Sequence, residues 1–407
     1  MTPDEARQLD AQDPLRASRQ AFDLPAGLIY LDGNSLGALP HRVRQVMADV
    51  IADEWGRDLI RSWNSHDWIN LPVTTGDRIG SIIGAAPGQV ICTDSTSVNL
   101  FKLLAAALQH QQGRSVILSQ TDNFPTDLYM AEGLARLTGE SVRLATVAAE
   151  ALSQALSDDV AVLMLTHVNF RDGRIHDLPG LTRAAHDAGA LVLWDLSHSA
   201  GVLPLALDEH QVDLAVGCGY KYLNGGPGAP AWLYVNHALQ GRMHQPLSGW
   251  MGHARPFDFS PTYEPATGIS RFLSGTPGIL SMKALEAALD LYADVSIDAV
   301  RQKSMQLTGA FVRQVASLPG VTLASPVDPE LRGSQVSLQH PDAYAIVQAL
   351  IERGVIGDFR EPDLMRFGFA PLYNSFEEVR TAAGILAEII GSGSYRDPRF
   401  QERRQVT

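Results

Sequence analysis

Lys221 lies in GCGYKYLNGGPG, Gly217 to Gly228, directly after an apolar run that starts at Val212. A lysine at a strand end, followed by a glycine-rich loop, is placed to hold an amine against a flat ligand. The strand fixes its origin, the apolar flank keeps water away, and the glycines let backbone approach closely. An amine held this way forms a Schiff base with a carbonyl, and pyridoxal phosphate is the commonest such carbonyl in enzymes. Most lysines are solvated surface charges, so Lys221 alone decides little. Asp195 changes the weighing. It ends the apolar run Leu191 to Trp194, where open α/β sheets carry functional side chains. A carboxylate there can pair with a pyridine nitrogen and keep it protonated.

Further residues could complete such a site. In DSTSVNL, Asp94 to Leu100, Thr96 and Ser97 fall near a helix start, where free N–H groups and the helix dipole favour a phosphate. An ordinary N-cap is the alternative. NFPTD offers an aromatic ring at Phe124, a helix-opening Pro125, and Thr126 and Asp127 in the first turn. This could equally be a hydrophobic staple. Thr166 ends the VLMLT strand, and His198 follows Asp195 by three residues. Asp195, Ser197 and His198 diverge from one backbone turn, so they do not form a hydrolase triad. GNSLG, Gly33 to Gly37, has the letters of a nucleophile elbow, but Ala38 and Leu39 separate it from the helix that opens at Pro40. No Gly-Lys dipeptide exists to make a P-loop.

These residues need a scaffold, and the pattern supplies one. From about residue 89, seven apolar strands (QVICT, SVILS, SVRLA, VAVLMLT, ALVLWD, VDLAV and PAWLYV) follow one another, the first five separated by helical stretches. That predicts an α/β fold with a mostly parallel seven-stranded sheet covered by helices on both faces. Before it, PHRVRQVMADVIADEWG predicts a helix with Val43, Met47, Val50 and Ile51 on its buried face; after Pro277 a long amphipathic helix is expected. From about residue 300 the rhythm changes to a small α+β domain. The expected division is residues 1–45 packing on the small domain, 46–295 as the large domain, 296–391 as the small one, and 392–407 as a loosely ordered tail.

Composition narrows the class. The 407 residues are 45% hydrophobic and 19% charged, ordinary for a globular enzyme, and the net charge of −13 argues against nucleic acid or an anionic membrane as partner. Cys92 and Cys218 form no metal or disulfide framework, so no metal is expected, and a reducing compartment is. The polar, acidic N-terminus reads as neither signal nor transit peptide, which makes a cytoplasmic location the expectation.

WDLSHSAG followed by YKYLNGGPG resembles pyridoxal-phosphate enzymes of the aspartate-aminotransferase fold (fold type I), in the branch that includes cysteine desulfurases. Together with LDGNSLG, NFPTD, SGWMGH and FAPLYNSF, spread from Leu31 to Phe376, the chain resembles the kynureninase family. The resemblance implies hydrolysis of L-kynurenine to anthranilate and L-alanine by a homodimer with shared sites. It makes Lys221 the Schiff-base lysine and proton carrier, Asp195 the partner of the pyridine nitrogen, and Tyr220 an acid/base. Thr96, Ser97, Phe124, Pro125, Thr126, Asp127, Thr166 and His198 join them around the cofactor, as do Trp250 and Thr276 from glycine-rich loops. Nothing near Trp250 in sequence is expected to bury its indole, so it is assigned to the subunit interface. Arg366 is expected to bind the substrate carboxylate, with Arg360 as competitor, and Asn34, Ser35 and His66 to line the substrate side. A cysteine desulfurase or lyase, an aminotransferase and a non-catalytic ligand binder are the rivals.

Overall fold

The computed structural model describes residues 1–139 and 141–403. After a two-residue strand β1 (Ile29–Tyr30), the chain builds a seven-stranded sheet from β2 (Val90–Cys92), β3 (Val116–Gln120), β4 (Arg143–Val147), β5 (Val160–Thr166), β6 (Leu191–Asp195), β7 (Leu214–Cys218) and β8 (Ala231–Val235). The spatial order is β2-β8-β7-β6-β5-β3-β4. The pairs from β7 through β6, β5 and β3 to β4 are parallel, while β8 runs antiparallel to both of its neighbours. Helices lie on both faces, so the central strands are buried throughout: all seven residues of β5 are buried. Each such Leu, Val or Met contributes about 1.5–3 kcal/mol relative to an exposed position. This is why these strands read as unbroken apolar runs rather than alternating ones.

The small domain packs helices against a four-stranded antiparallel sheet of β9 (Thr322–Leu323), β10 (Gln335–Gln339), β12 (Asp358–Arg360) and β13 (Leu364–Gly368), in the order β12-β13-β10-β9. Strand β11 (Val355–Ile356) pairs in parallel with β1. Residues 1–45 divide between the two domains. Ala6 and Leu31 join the small-domain core, but Leu15, Phe22 and Ala38 pack into the large-domain core and Val43 packs on Ala287 and Ala288. Asp10 accepts bonds from the Phe376 and Glu377 amides at 2.7 and 3.1 Å, and Asp13 pairs with the buried Lys303 at 2.7 Å.

Two expectations fail here. Ile51, expected on a buried face, is 51% exposed while Val43 and Val50 are buried. The helix His41–Asp49 widens into a π-helix over Val50–Asp58, which changes the angular step and turns Ile51 outward. The stretch after Ser392 is ordered through Arg403: Tyr395 and Phe400 are buried in the small-domain core, and Tyr344 Oη donates to the Glu402 carbonyl at 2.8 Å. The last four residues of the expected tail lie outside the described residues. Among the described residues no helix is long and apolar enough to cross a membrane.

Candidate active site

The C-terminal ends of the parallel strands converge on one cavity of about 260 Å³. Thr166 at the end of β5 and Asp195 at the end of β6 are register partners, so the two side chains start side by side. Cys218 ends β7, and three residues later Lys221 enters the same cavity with Tyr220. The loop carrying them is pinned against GNSLG. The Gly37 amide donates to the Tyr220 carbonyl at 2.8 Å, and a Cβ at Gly37 would lie 2.3 Å from the Lys221 carbonyl. Ser95 caps the helix Thr96–His110, its side chain accepting from the Val98 amide, so Thr96 and Ser97 open that helix on the cavity wall. The helix Pro125–Leu137 begins beside it and brings Phe124, Thr126 and Asp127 to the wall.

Hydrogen bonds fix these groups to one another. Asn123 Nδ2 and Thr166 Oγ1 donate to Asp127 Oδ2 at 3.0 and 3.2 Å, and the Thr166 amide donates to Asn123 Oδ1 at 2.7 Å. The Ser197 amide donates to Asp195 Oδ1 at 2.8 Å. Burial raises Asp195 above the usual carboxylate range although the Ser197 bond and the Lys221 charge pull it down. Burial, then the charge of Asp195, raises Asp127 further. Burial, then Lys221 and the two arginines Arg366 and Arg360, pushes His198 far below its ordinary value, so it is neutral. Tyr220 is pushed up first by the Cys218 thiol, then by burial and Asp195, and keeps its proton.

Such a wall suits pyridoxal phosphate. Among the described residues Lys221 Nζ makes no hydrogen bond or salt bridge, and it stands 5.9 Å from the Phe124 ring centroid and 5.9 Å from that of Tyr220. Asp127 Oδ1 and His198 Nδ1 are buried without a partner. Buried polar atoms are rarely left so. Unused polar atoms, a flat aromatic ring, a carboxylate and a helix N-terminus around one cavity fit a planar cationic ring with a phosphate.

Arg366 stands beside this cavity in a corner of its own. It lies on β13 opposite Asp358 of β12, and the two are register partners. Its Nε donates to Asp358 Oδ1 at 2.7 Å and its Nη2 to Asp358 Oδ2. Nη1 donates to the carbonyl of Phe170, a residue of the cavity wall, at 2.6 Å, and Nη2 reaches Ser35 Oγ at 3.2 Å. Arg360 also meets Asp358, at 2.8 Å.

Seven expected residues do not line the cavity of this subunit: Arg366 and Ser35 form the corner beside it, and five others lie elsewhere. Pro125 is the first helical residue and is not part of the wall formed by its neighbours. Asn34 is buried, with Nδ2 on Gln335 Oε1 at 2.8 Å. His66 bonds Asp58 at 2.8 Å, and Thr276 is exposed. Trp250 is half-buried because it packs against the core of its own large domain and Phe257 and Phe259 pack on its indole, with centroids at 5.7 and 6.2 Å. The expectation that nothing local shields it is therefore corrected: a short turn folds two aromatics back onto it. Conversely, sequence reasoning missed Ser95, Phe170 and Ser197 on the wall, and Asp358 behind Arg366. Asp358 had a signal, since DFR and LMR flanking EPD form a hairpin that sets it opposite Arg366. Phe170 had none.

Known proteins resemble this chain along its whole length. Residues 300–386 match the family model described as the kynureninase C-terminal domain. The kynureninases of Pseudomonas fluorescens and Burkholderia pseudomallei (strain 1106a) are each 50% identical to this chain over 414 residues, covering 100% of both chains. Among solved structures, a C-DES mutant with glycine covalently linked to its PLP cofactor superimposes with a TM-score of 0.79 at 21% identity, covering 91% of this chain and 99% of that one. An apo cysteine desulfurase from Thermococcus onnurineus NA1 gives a TM-score of 0.77 at 20% identity, covering 96% and 99%. At such identity these two speak for the fold, pyridoxal-phosphate fold type I, while the full-length relatives speak for the family. The chain belongs to the kynureninase family.

Proposed function

We propose that this chain hydrolyses L-kynurenine to anthranilate and L-alanine with the groups gathered at the ends of β5, β6 and β7. The observation that carries this reading is the meeting of Asp195, Lys221 and the Ser95-capped helix in one cavity whose wall keeps unpartnered buried atoms at Asp127 and His198. Bound pyridoxal phosphate supplies an electron-accepting ring that makes the substrate's α- and β-hydrogens acidic. Lys221 is the residue that would hold it, Asp195 would keep a proton on its ring nitrogen, Phe124 would face the ring, and Thr96 and Ser97 would take the phosphate. Neutral His198 and the Asn123–Thr166–Asp127 network orient the wall.

In the reaction, Lys221 Nζ takes the substrate's α-proton and returns it at a later step. Arg366 holds the substrate α-carboxylate with its planar fork and so orients Cα over Lys221. Tyr220 Oη, kept protonated, is the acid/base where water adds to the aryl ketone and the bond to the β-carbon breaks. Ser35 touches Arg366 and belongs to the carboxylate side.

The same reading treats residues 46–295 and 296–391 as the working domains and the enzyme as a cytoplasmic homodimer with shared sites. Trp55 and Ile60, close together in sequence, are 54% and 76% exposed, and Phe259 elsewhere is 74% exposed, large apolar side chains that a subunit contact would cover. Trp250, Thr276 and His66, which miss the cavity of their own subunit, would then act in the partner's. Two unpaired, buried cysteines agree with a reducing compartment.

A cysteine desulfurase needs a reactive thiol on an open loop; both cysteines are buried at strand ends and burial pushes the Cys92 thiol up. An aminotransferase needs a keto-acid acceptor. Mixing purified protein, pyridoxal phosphate and L-kynurenine should produce anthranilate fluorescence with no acceptor added. Absence of anthranilate, with turnover appearing only on adding a keto acid or cysteine, would sink the reading.

A further inference from the structure

A guanidinium has five N–H donors, and four of those on Arg366 already have protein acceptors: Asp358 twice, Phe170 and Ser35. A bidentate carboxylate takes two donors, so its docking must displace at least one of these bonds. Asp358 is saturated as well, for it meets Arg366, Arg360 at 2.8 Å and the Ser35 hydroxyl at 3.0 Å. Asp32, the second carboxylate of the corner, is in the opposite condition. Its Oδ1 is buried with no partner. Asp32 is fixed there by its bridge to Gly368, two residues beyond Arg366, and by the Ser35 amide, which donates to its carbonyl at 3.0 Å. With Asp32 protonated, two arginines and Asp358 leave the corner with one net positive charge to offer a ligand. With Asp32 ionised they leave none.

We infer that Asp32 is a proton-linked positioning residue for the substrate: protonated, it leaves the corner the net positive charge that draws the α-carboxylate onto Arg366, and ionised, it cancels that charge. The inference rests on the reading of Arg366 as the carboxylate receptor. Burial first, then the charge of Asp358, lifts Asp32 to about 7, against the pull of the Ser35 bond, Arg366 and Arg360. The other titratable groups facing it are Tyr30 two residues before it, Tyr222 next to Lys221 and Tyr373 after β13, and burial keeps all three protonated throughout the range. An arriving carboxylate adds a negative charge, so it raises Asp32 further and binding takes up a proton. Affinity is therefore full below pH 7 and declines as the pH rises above it.

The test is the pH dependence of KM for L-kynurenine between pH 6 and 9, measured on holoenzyme of the native chain and of Asp32→Asn and Asp32→Ser. The native KM should rise about tenfold more than that of either variant, the change that a one-unit rise of Asp32 on binding produces. The kcat profiles of all three should stay parallel. The inhibition constant of the amine that lacks only the carboxylate should show no such difference. Native and variant KM profiles that run parallel, or a difference that persists with the carboxylate-free amine, overturn the proposal. An Arg366→Lys enzyme with unchanged KM overturns it together with the Arg366 reading, whereas a raised KM there with parallel Asp32 profiles defeats the Asp32 role alone.

Discussion

The two halves of the candidate site are built on opposite terms. At the cofactor end, rigid parallel strands present groups that the protein itself leaves unused: Lys221 makes no hydrogen bond or salt bridge among the described residues, and Asp127 Oδ1 and His198 Nδ1 are buried and unpartnered. At the carboxylate corner, antiparallel strands and the N-terminal loop engage the ligand-binding cations in advance, with Asp358 gripping both arginines, while Asp32 Oδ1 stays unpartnered behind them. A group that stays bound through every turnover can be met by a preformed set of open partners. A substrate that must enter and leave meets a corner already filled, so each of its bonds is an exchange rather than a gain. The first arrangement favours retention and the second favours release.

The comparison breaks most visibly at Lys221. Lys221→Ala should lower kcat/KM for L-kynurenine by at least about 10³-fold, in the upper range for loss of a positioned acid–base group, and should abolish the borohydride-reducible lysine adduct. An active variant that still forms the adduct at normal stoichiometry would move the role elsewhere. Asp195→Asn keeps shape and the Ser197 contact but removes the charge, and kcat should fall about 10²-fold or more with helix content by circular dichroism unchanged. Near-native kcat in this variant would mean that Asp195 is merely a strand-end residue.

Arg366→Lys tests the other half. Lysine keeps the charge but cannot grip Asp358 and a ligand carboxylate at once, so kcat/KM should drop more than about tenfold, worth at least ~1.4 kcal/mol. Cofactor affinity, measured by titrating apoenzyme, should hardly change. A parallel loss of cofactor affinity would show that the two halves are not separable as described.

The halves also differ in how legible they were. Strands such as VAVLMLT announce themselves because burial on both faces leaves no polar alternation, and once those strands are placed their C-terminal ends mark where Thr166, Asp195 and Lys221 must meet. The carboxylate corner depends on strands of two and three residues: β12 pairs with β13 across the EPD hairpin, but β11 pairs with β1, far away in sequence. No local periodicity records the β1–β11 pairing, so Arg366 was visible as an arginine in a strand while Asp32 was not; Asp358 was readable from the hairpin and was overlooked. Ile51 shows the same limit inside a helix. Its exposure follows from a π-helical step that heptad-like spacing does not encode.

The smallest expected effect concerns whether the open half is complete within one chain. Trp250 lies outside the cavity of its own subunit, half-buried under Phe257 and Phe259, which are themselves 61% and 74% exposed. An aromatic group of this kind at the surface is better suited to a partner than to water, and the indole N–H is free to donate, since no bond to it occurs among the described residues. If Trp250 serves the neighbouring cofactor, Lys221→Ala and Trp250→Ala chains should complement each other. Random reassortment makes about half the dimers mixed, and each mixed dimer has one of its two sites intact, so the mixture should reach about a quarter of native specific activity. Sedimentation or native mass spectrometry confirms that mixed dimers form. Mixed dimers whose activity never exceeds that of the two parents would place Trp250 in a purely local aromatic cluster, and the cofactor end would then be built by one chain alone.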